Sequence, residues 1–405
     1  MARLTTLDRE QRTSLLALCA LLALGMAFRL YWNNVTEFSS DDEMTYLVNA
    51  RGLAGHFVAR FPKFAAEYAT NPERWDTPNP LRWGHWALTS GLCSLPGGCT
   101  YHTLAWLSTV GGIAALGFTW LLGREFLGER PALIAVALSL AAPLQLHLGR
   151  RALQDELACA ATLAVIWAYS RALTTDAAKA GIGRYVLAVV IGTLALAEKE
   201  TTVLWWPALL GLWLFRHRAR GWRKADLVLL LPPVLFVAGF FVVSRSVSLL
   251  FLDARGNLGA ISETSYIVQY MSGPAYRYLL DLFILAPIVF LLGVAAAGVA
   301  LIDRAPESRG ARELVGVLAV GALVWAVTPK DVRYFAAADT LLRLLGGWLL
   351  VVVWARGRRG IALATTALLI NCAVEYALFH RVFVEYGVYD PVTGDILQAL
   401  DAIPR

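Results

Sequence analysis

The sequence predicts an all-α polytopic membrane protein of about eleven crossings. Hydrophobic residues make up 58% of the 405 and charged residues only 16%, and mean hydropathy is +0.56. Long apolar runs recur between charged loops, without the period-two alternation of a barrel. Such a chain is solvated by lipid more than by water, so its net charge of +6 bears on membrane topology and not on nucleic-acid binding.

The first apolar run, 13–32, lacks a small-residue cleavage pattern and ends in aromatics, which predicts a retained anchor instead of a signal peptide. Further crossings are predicted at roughly 101–122, 131–149, 152–172, 185–197, 201–215, 227–247, 277–302, 313–328, 335–355 and 360–380. Basic residues cluster in every second loop, at Arg3/Arg9/Arg12, Arg124/Arg130, Arg171/Lys179/Arg184, Arg216 to Lys224, Arg304/Arg309/Arg312 and Arg356/Arg358/Arg359. The positive-inside rule makes these loops cytoplasmic, with the N-terminus inside and the C-terminus outside a cell inner membrane. The run Arg216 to Lys224 reads as a topology determinant touching anionic lipid.

This organisation is one transmembrane domain, 1–405, with a first outer loop at 33–100, a second at 248–276 and a short outer tail at 381–405. In the first outer loop, residues 41–54 and 56–69 have helical spacing. Phe57, Phe61, Phe64 and Tyr68 interleave with Arg60, Lys63 and Glu67, as in an interfacial helix that Pro62 either kinks or starts. Trp75, Trp83 and Trp86 are expected as headgroup-level anchors. The second outer loop is polar and contains glycine, which predicts a mobile flap. Cys93 and Cys99 flank SLPGG, so they are either a disulfide of an oxidising compartment or two unpaired thiols.

Two crossings are short. The apolar part of the fifth, YVLAVVIGTLALA, covers roughly 20 Å at ~1.5 Å per residue, against a ~30 Å hydrocarbon core. Its tip, Glu198-Lys199-Glu200, therefore sits below the headgroups, where charge is tolerated if it lines a cavity. The ninth crossing likewise runs at once into Pro329-Lys330-Asp331-Val332-Arg333-Tyr334. On the same side lie two acidic sites. Asp41, Asp42 and Glu43 follow Ser40, where Ser40-x-x-Glu43 is also a capping box and the acids suit a helix dipole. Asp155 and Glu156 follow Arg150 and Arg151 at the start of the fourth crossing. Lys199 and Arg333 are suited to phosphate oxygens, as a point charge and a planar fork, or else are ion-pair partners of Glu198, Glu200 and Asp331. Together the set points to an anionic, lipid-linked substrate handled by acids.

The ordered features resemble the GT-C glycosyltransferases, in the branch of protein O-mannosyltransferases and lipid A aminoarabinose transferases that use polyprenyl-phosphate sugars. The residues that carry the resemblance are FRLYW, then Asp42-Glu43-Met44-Thr45-Tyr46, then TPNPLRWGHWAL, then FLGERPALIAVALSLAAPLQLHLGRRALQDEL, then Lys199 and Arg333-Tyr334. It is continuous over about residues 13–215 and patchy beyond. The resemblance implies a GT-C-like helical bundle in which Asp42 is the catalytic carboxylate and Asp155 a second acid near the donor or a metal. It implies that Lys199 and Arg333 hold the lipid phosphate and that Glu43, Tyr46, Arg151 and Tyr334 shape the pocket, with Glu43 counted among the acids and Arg151 among the phosphate ligands. Asp41 stands where that family often has Pro or a small residue, so Asp41 and Asp42 both remain open as the acting acid. No soluble domain follows the last crossing, which assigns acceptor recognition to loops.

The expected chemistry is an inverting transfer of a hexosyl or pentosyl group from a polyprenyl-phosphate sugar to an acceptor hydroxyl on a glycan, lipid or protein. It needs a base for that proton and cations for the departing phosphate. A divalent ion (Mg, Mn or Zn) on Asp42 and Asp155 is a further expectation, and the outer-side histidines His56, His85, His102, His147 and His380 leave zinc open. The rival reading is a transporter or flippase of lipid-linked or anionic cargo. Carriers concentrate polar groups near the midplane between repeats, whereas the charge here gathers at outer helix ends. Asp339 and Arg343, four apart in the tenth crossing, read as an internal ion pair.

Overall fold

The computed structural model describes residues 9–34, 41–75, 77–174, 181–221, 223–263, 271–303 and 305–403. Regular structure among them is helical throughout. Helix α1 (Arg9–Asn34) leads to an outer group of α2 (Asp41–Leu53), α3 (Phe57–Thr70) and α4 (Trp83–Cys93). Then follow α5 (Tyr101–Phe126), α6 (Glu129–Ser139), α7 (Pro143–Leu148), α8 (Asp155–Ala172), α9 (Ile182–Glu198), α10 (Trp206–Arg220), α11 (Leu231–Ser244) and α12 (Val247–Glu263). The chain closes with α13 (Arg277–Leu285), α14 (Pro287–Ile302), α15 (Arg309–Trp325), α16 (Ala336–Trp354), α17 (Arg358–Phe379) and α18 (Thr393–Ala399).

Among the described residues, five helical stretches are long and apolar enough to cross a membrane: Arg12–Asn33, Tyr101–Phe126, Lys224–Ser244, Val332–Trp354 and Arg358–Glu385. The other predicted crossings fall on shorter or broken helices. The stretch 131–149 is two helices because Pro143 has no N–H to give the carbonyl four residues back, and it starts α7 instead. Pro287 splits 277–302 into α13 and α14 in the same way.

The bundle core is built on α5 against α8 and on α16, which packs on α6, α14, α15 and α17. Close approach of α5 and α8 depends on Gly111, where a Cβ would lie 2.8 Å from the Leu157 backbone. Gly117 on the same helix faces open space. Gly111→Val is therefore expected to lower stability by ~1–3 kcal/mol through overpacking, while Gly117→Val changes it little. Thermal unfolding in detergent measures both, and equal midpoints for the two variants would remove Gly111 from the interface.

A second, smaller core lies outside the bundle and joins α2, α3 and α4 to α11 and α12 through Leu47, Ala50, Phe61, Ala65, Trp86 and Phe240. It changes three expectations. The residues 248–263 form no polar flap: they continue helix α12, whose Leu249, Leu250 and Ala254 pack on this core. The rest of that loop, 264–270, lies outside the described residues. Trp86 is fully buried and stacks on Tyr46 at 5.4 Å, so it is a core residue and not a headgroup anchor. Trp83 stacks on Phe236 at 6.4 Å, and the Trp75 ring fills the space over Gly256. Helix α3 starts at Phe57 and runs through Pro62, burying Phe61 and Tyr68. The Ser40 capping box falls outside the described residues, as does the Asp41 side chain. Cys93 and Cys99 are joined as a disulfide. On the opposite side, Arg216 is no lipid-facing charge: it is buried on Glu313, with Nε at 2.8 Å and Nη2 at 2.6 Å.

Candidate active site

The short fifth crossing ends as its length predicted. Helix α9 stops at Glu198, Lys199 takes up extended backbone, and a 3₁₀ turn over Glu200–Trp205 leads into α10. Glu198 and Lys199 are buried, although they lie next to each other in a charged triplet. Each charge of that triplet has its own partner. Glu198 accepts from His85 Nδ1 at 2.6 Å. The two oxygens of Glu200 take one edge of Arg82, from Nε at 2.9 Å and Nη2 at 3.1 Å, and Arg82 Nη1 donates to the Tyr46 hydroxyl at 2.8 Å. Lys199 pairs with Asp155 and lies 4.5 Å over the ring of Tyr334. The partners expected from sequence proximity are thus replaced by residues of α4, α8 and the loop before α4.

The loop after α15 supplies the second cation. Asp331 caps the 3₁₀ turn Val332–Phe335 by accepting from the Arg333 amide at 2.9 Å, and its other oxygen accepts from Arg333 Nε at 2.6 Å. Arg333 Nη1 lies 2.8 Å from Asp390 and 3.9 Å from Asp42. A pocket opens between these groups, lined by Asp155, Lys199, Thr202, Trp205, Arg333 and Tyr334. The cations Lys199 and Arg333 therefore share one wall.

Asp42 stands at the first turn of α2 beyond Arg333, with its side chain 43% exposed against 6% for that of Arg333. Burial raises its carboxyl above the ordinary range, Arg333 opposes that, and the charges of Asp390 and Asp155 add to it. Asp331, enclosed completely, is pushed up to about 6 by burial against the pull of Arg333. Burial likewise raises the Tyr46 hydroxyl above its usual value, opposed by Arg82. At neutral pH Tyr46 is a hydrogen-bonding wall, not a base.

Glu43 and Arg151 do not line the pocket. Glu43 is fully buried, where it accepts from the Tyr101 hydroxyl at 3.1 Å and the Ala152 amide at 2.9 Å, with Arg151 Nη1 at 3.9 Å. It ties α2 to α5 and to the turn before α8, so it fixes the position of Asp42 instead of acting beside it. Arg151 lies between Glu43 and the ring of Tyr389, 5.2 Å from its centroid. Sequence reasoning missed Arg82 and Asp390. Arg82 lies inside the stretch TPNPLRWGHWAL, where the resemblance gives it no role, and Asp390 sits in a tail with no period to place it.

Residues 85–244 match the model of the dolichyl-phosphate-mannose-protein mannosyltransferase family. Among solved structures, the chain is similar to ArnT from Cupriavidus metallidurans bound to undecaprenyl phosphate, at 19% identity and a TM-score of 0.51, covering 84% of this chain and 63% of that one. It is also similar to the oligosaccharyltransferase AglB from Archaeoglobus fulgidus in complex with an inhibitory peptide and a dolichol-phosphate, at 15% identity and a TM-score of 0.57, covering 96% and 56%. The fold is that of the GT-C glycosyltransferases. This chain spans less than two thirds of the length of either structure. No curated protein matches it in sequence.

A structure of the Archaeoglobus fulgidus oligosaccharyltransferase in complex with Zn and sulfate is similar as well, at 15% identity and a TM-score of 0.56, covering 90% and 52%. In the present chain, no three His, Cys, Asp or Glu side chains converge for a metal among the described residues. The two acids expected as ligands face cations, Asp155 paired with Lys199 and Asp42 beside Arg333. His85 is held by Glu198, and His147 by the Tyr389 carbonyl at 2.8 Å. The described residues alone do not make up a metal site.

Proposed function

We propose that this protein is an inverting glycosyltransferase that moves a sugar from a polyprenyl-phosphate donor to an acceptor hydroxyl on the outer face of the cytoplasmic membrane. The observation that carries this is the shared wall of Lys199 and Arg333 in one pocket, with the Asp42 carboxylate just beyond Arg333. The donor's phosphate is already a good leaving group. Asp42 takes the proton of the acceptor hydroxyl while its oxygen bonds to the anomeric carbon from the face opposite the phosphate. The carbon–oxygen bond to the phosphate breaks, and the released polyprenyl phosphate keeps the electron pair against the two cations. One displacement without a sugar–enzyme intermediate inverts the anomeric centre. Asp155 anchors Lys199, so the cation is in place before the donor arrives. The Cys93–Cys99 disulfide in the first outer loop supports an outer, oxidising location for this face.

The test is transfer by the purified protein in nanodiscs from a panel of polyprenyl-phosphate hexoses and pentoses. Beside it goes a mass-spectrometric comparison of envelope glycans, glycolipids and glycoproteins with and without the protein. A product with inverted anomeric configuration is expected, and the group missing in cells names the sugar and acceptor. Passage of the intact lipid-linked sugar across vesicles, with no transfer, would instead make the chain a carrier. Lys199→Gln is expected to raise the donor KM about 10- to 100-fold, from the ~1.5–3 kcal/mol of a charged hydrogen bond. An unchanged donor KM takes Lys199 out of the phosphate site.

A further inference from the structure

The chain after α17 is not a loose tail. Its π-helical turn His380–Glu385 and helix α18 bury Val382, Phe383, Ile396 and Ala399. Residues around the turn between α7 and α8 strap it down. His147 donates to the Tyr389 carbonyl at 2.8 Å and stacks on Phe383 at 4.2 Å, and Arg150 Nη2 donates to the Phe383 carbonyl at 2.5 Å. On the other side of Asp390, Thr393 Oγ1 donates to Asp281 at 2.6 Å and accepts from Arg277 Nε at 2.7 Å. Asp390 is thus bracketed by fixed neighbours at 389 and 393. Its side chain is only 14% exposed, and Oδ1 forms an ion pair with Arg333 Nη1 at 2.8 Å, without the alignment of a hydrogen bond.

We propose that Asp390 is a positioning residue: with Asp331 it grips the Arg333 guanidinium along two edges, so the C-terminal segment fixes the cation against which a lipid-linked phosphate is held. This rests on the glycosyl-transfer reading above. Asp331 alone holds Nε and the backbone amide, which leaves the outer end of the fork free to tilt. A free arginine side chain has many rotamers to lose, and a planar fork held at two edges has few left to lose when a ligand binds. The guanidinium so placed belongs to the lining of the pocket, where an anion can meet it. The rigid bracketing of Asp390 separates this from a displaceable lid, for which a mobile carboxylate would be needed.

Removing Asp390 also removes a negative charge, and that alone would tighten an anion's binding, so the sign of the effect decides. Asp390→Ala is expected to raise the donor KM about tenfold with kcat changed less than about threefold. Asp390→Asn, which keeps the shape and gives up the charge of the ion pair, is expected to raise the donor KM in the same direction as Asp390→Ala and by less. Thr393→Ala cuts the tie to Asp281 without touching Arg333; it controls for a loosened tail and should lower the melting temperature without moving the donor KM. Binding of undecaprenyl phosphate itself, followed by thermal shift, reads the same site without turnover and should weaken about tenfold in Asp390→Ala. A donor KM that is unchanged or lower in Asp390→Ala, or one that Thr393→Ala raises equally, overturns the proposal. A parent protein that binds undecaprenyl phosphate but transfers no sugar overturns the transferase reading and leaves the binding arm to decide on Asp390; a parent that does not bind it overturns both.

Discussion

Asp42→Asn is expected to reduce sugar transfer by ~10²- to 10⁴-fold, the range a positioned general base contributes, with little change in donor binding. The asparagine keeps the size of the side chain and takes away the proton acceptor. Stability should hardly move, because the Asp42 carboxylate is partly open and only 3.9 Å contact with Arg333 ties it to the bundle. The same residue predicts a pH profile. Burial, Asp390 and Asp155 raise its carboxyl above the ordinary ~3.9, with Arg333 pulling the other way. The base acts when deprotonated, so kcat/KM should fall as pH drops through a value above the usual aspartate range. Full transfer by Asp42→Asn would move the acting acid elsewhere in the cluster, and Asp41→Asn in parallel separates the two neighbours.

The acids and cations of the pocket were legible in the sequence because membrane burial makes charge conspicuous. A crossing too short for the bilayer predicted Lys199 below the headgroups and in a cavity, and the same logic applied to Arg333 after α15; both line one pocket. What the sequence could not show was who pairs with whom. Proximity assigned Lys199 to Glu198 or Glu200, yet His85 and Arg82 take those acids from another helix and leave Lys199 to Asp155. Glu43 looked like a twin of Asp42, but successive residues of a helix point about 100° apart. When Asp42 faces Arg333, Glu43 turns inward to Tyr101 and Ala152. Asp390 left no signal of its own: its role depends on a tail folding back through more than two hundred residues of separation onto His147 and Arg150.

The second large effect concerns stability. Arg343→Met is expected to cost about 3–5 kcal/mol, the usual result of breaking a buried ion pair from one side. The sequence paired Arg343 with Asp339, and Nε indeed donates to Asp339 at 2.9 Å. The structure adds that Nη1 donates to Glu375 of α17 at 2.8 Å and to the Leu138 carbonyl of α6. One fully buried guanidinium therefore joins three helices of the bundle and pairs with two carboxylates at once. Methionine fills much of the volume and leaves Asp339 and Glu375 facing each other without a cation. Since the penalty comes from uncompensated charge and not from lost contact, a triple replacement, Arg343→Met with Asp339→Leu and Glu375→Leu, should recover most of the stability. Thermal unfolding in one detergent measures both variants. If the triple is as unstable as the single, shape and the tie to Leu138 matter more than charge. If the single change is harmless, Arg343 does not hold α6, α16 and α17 together.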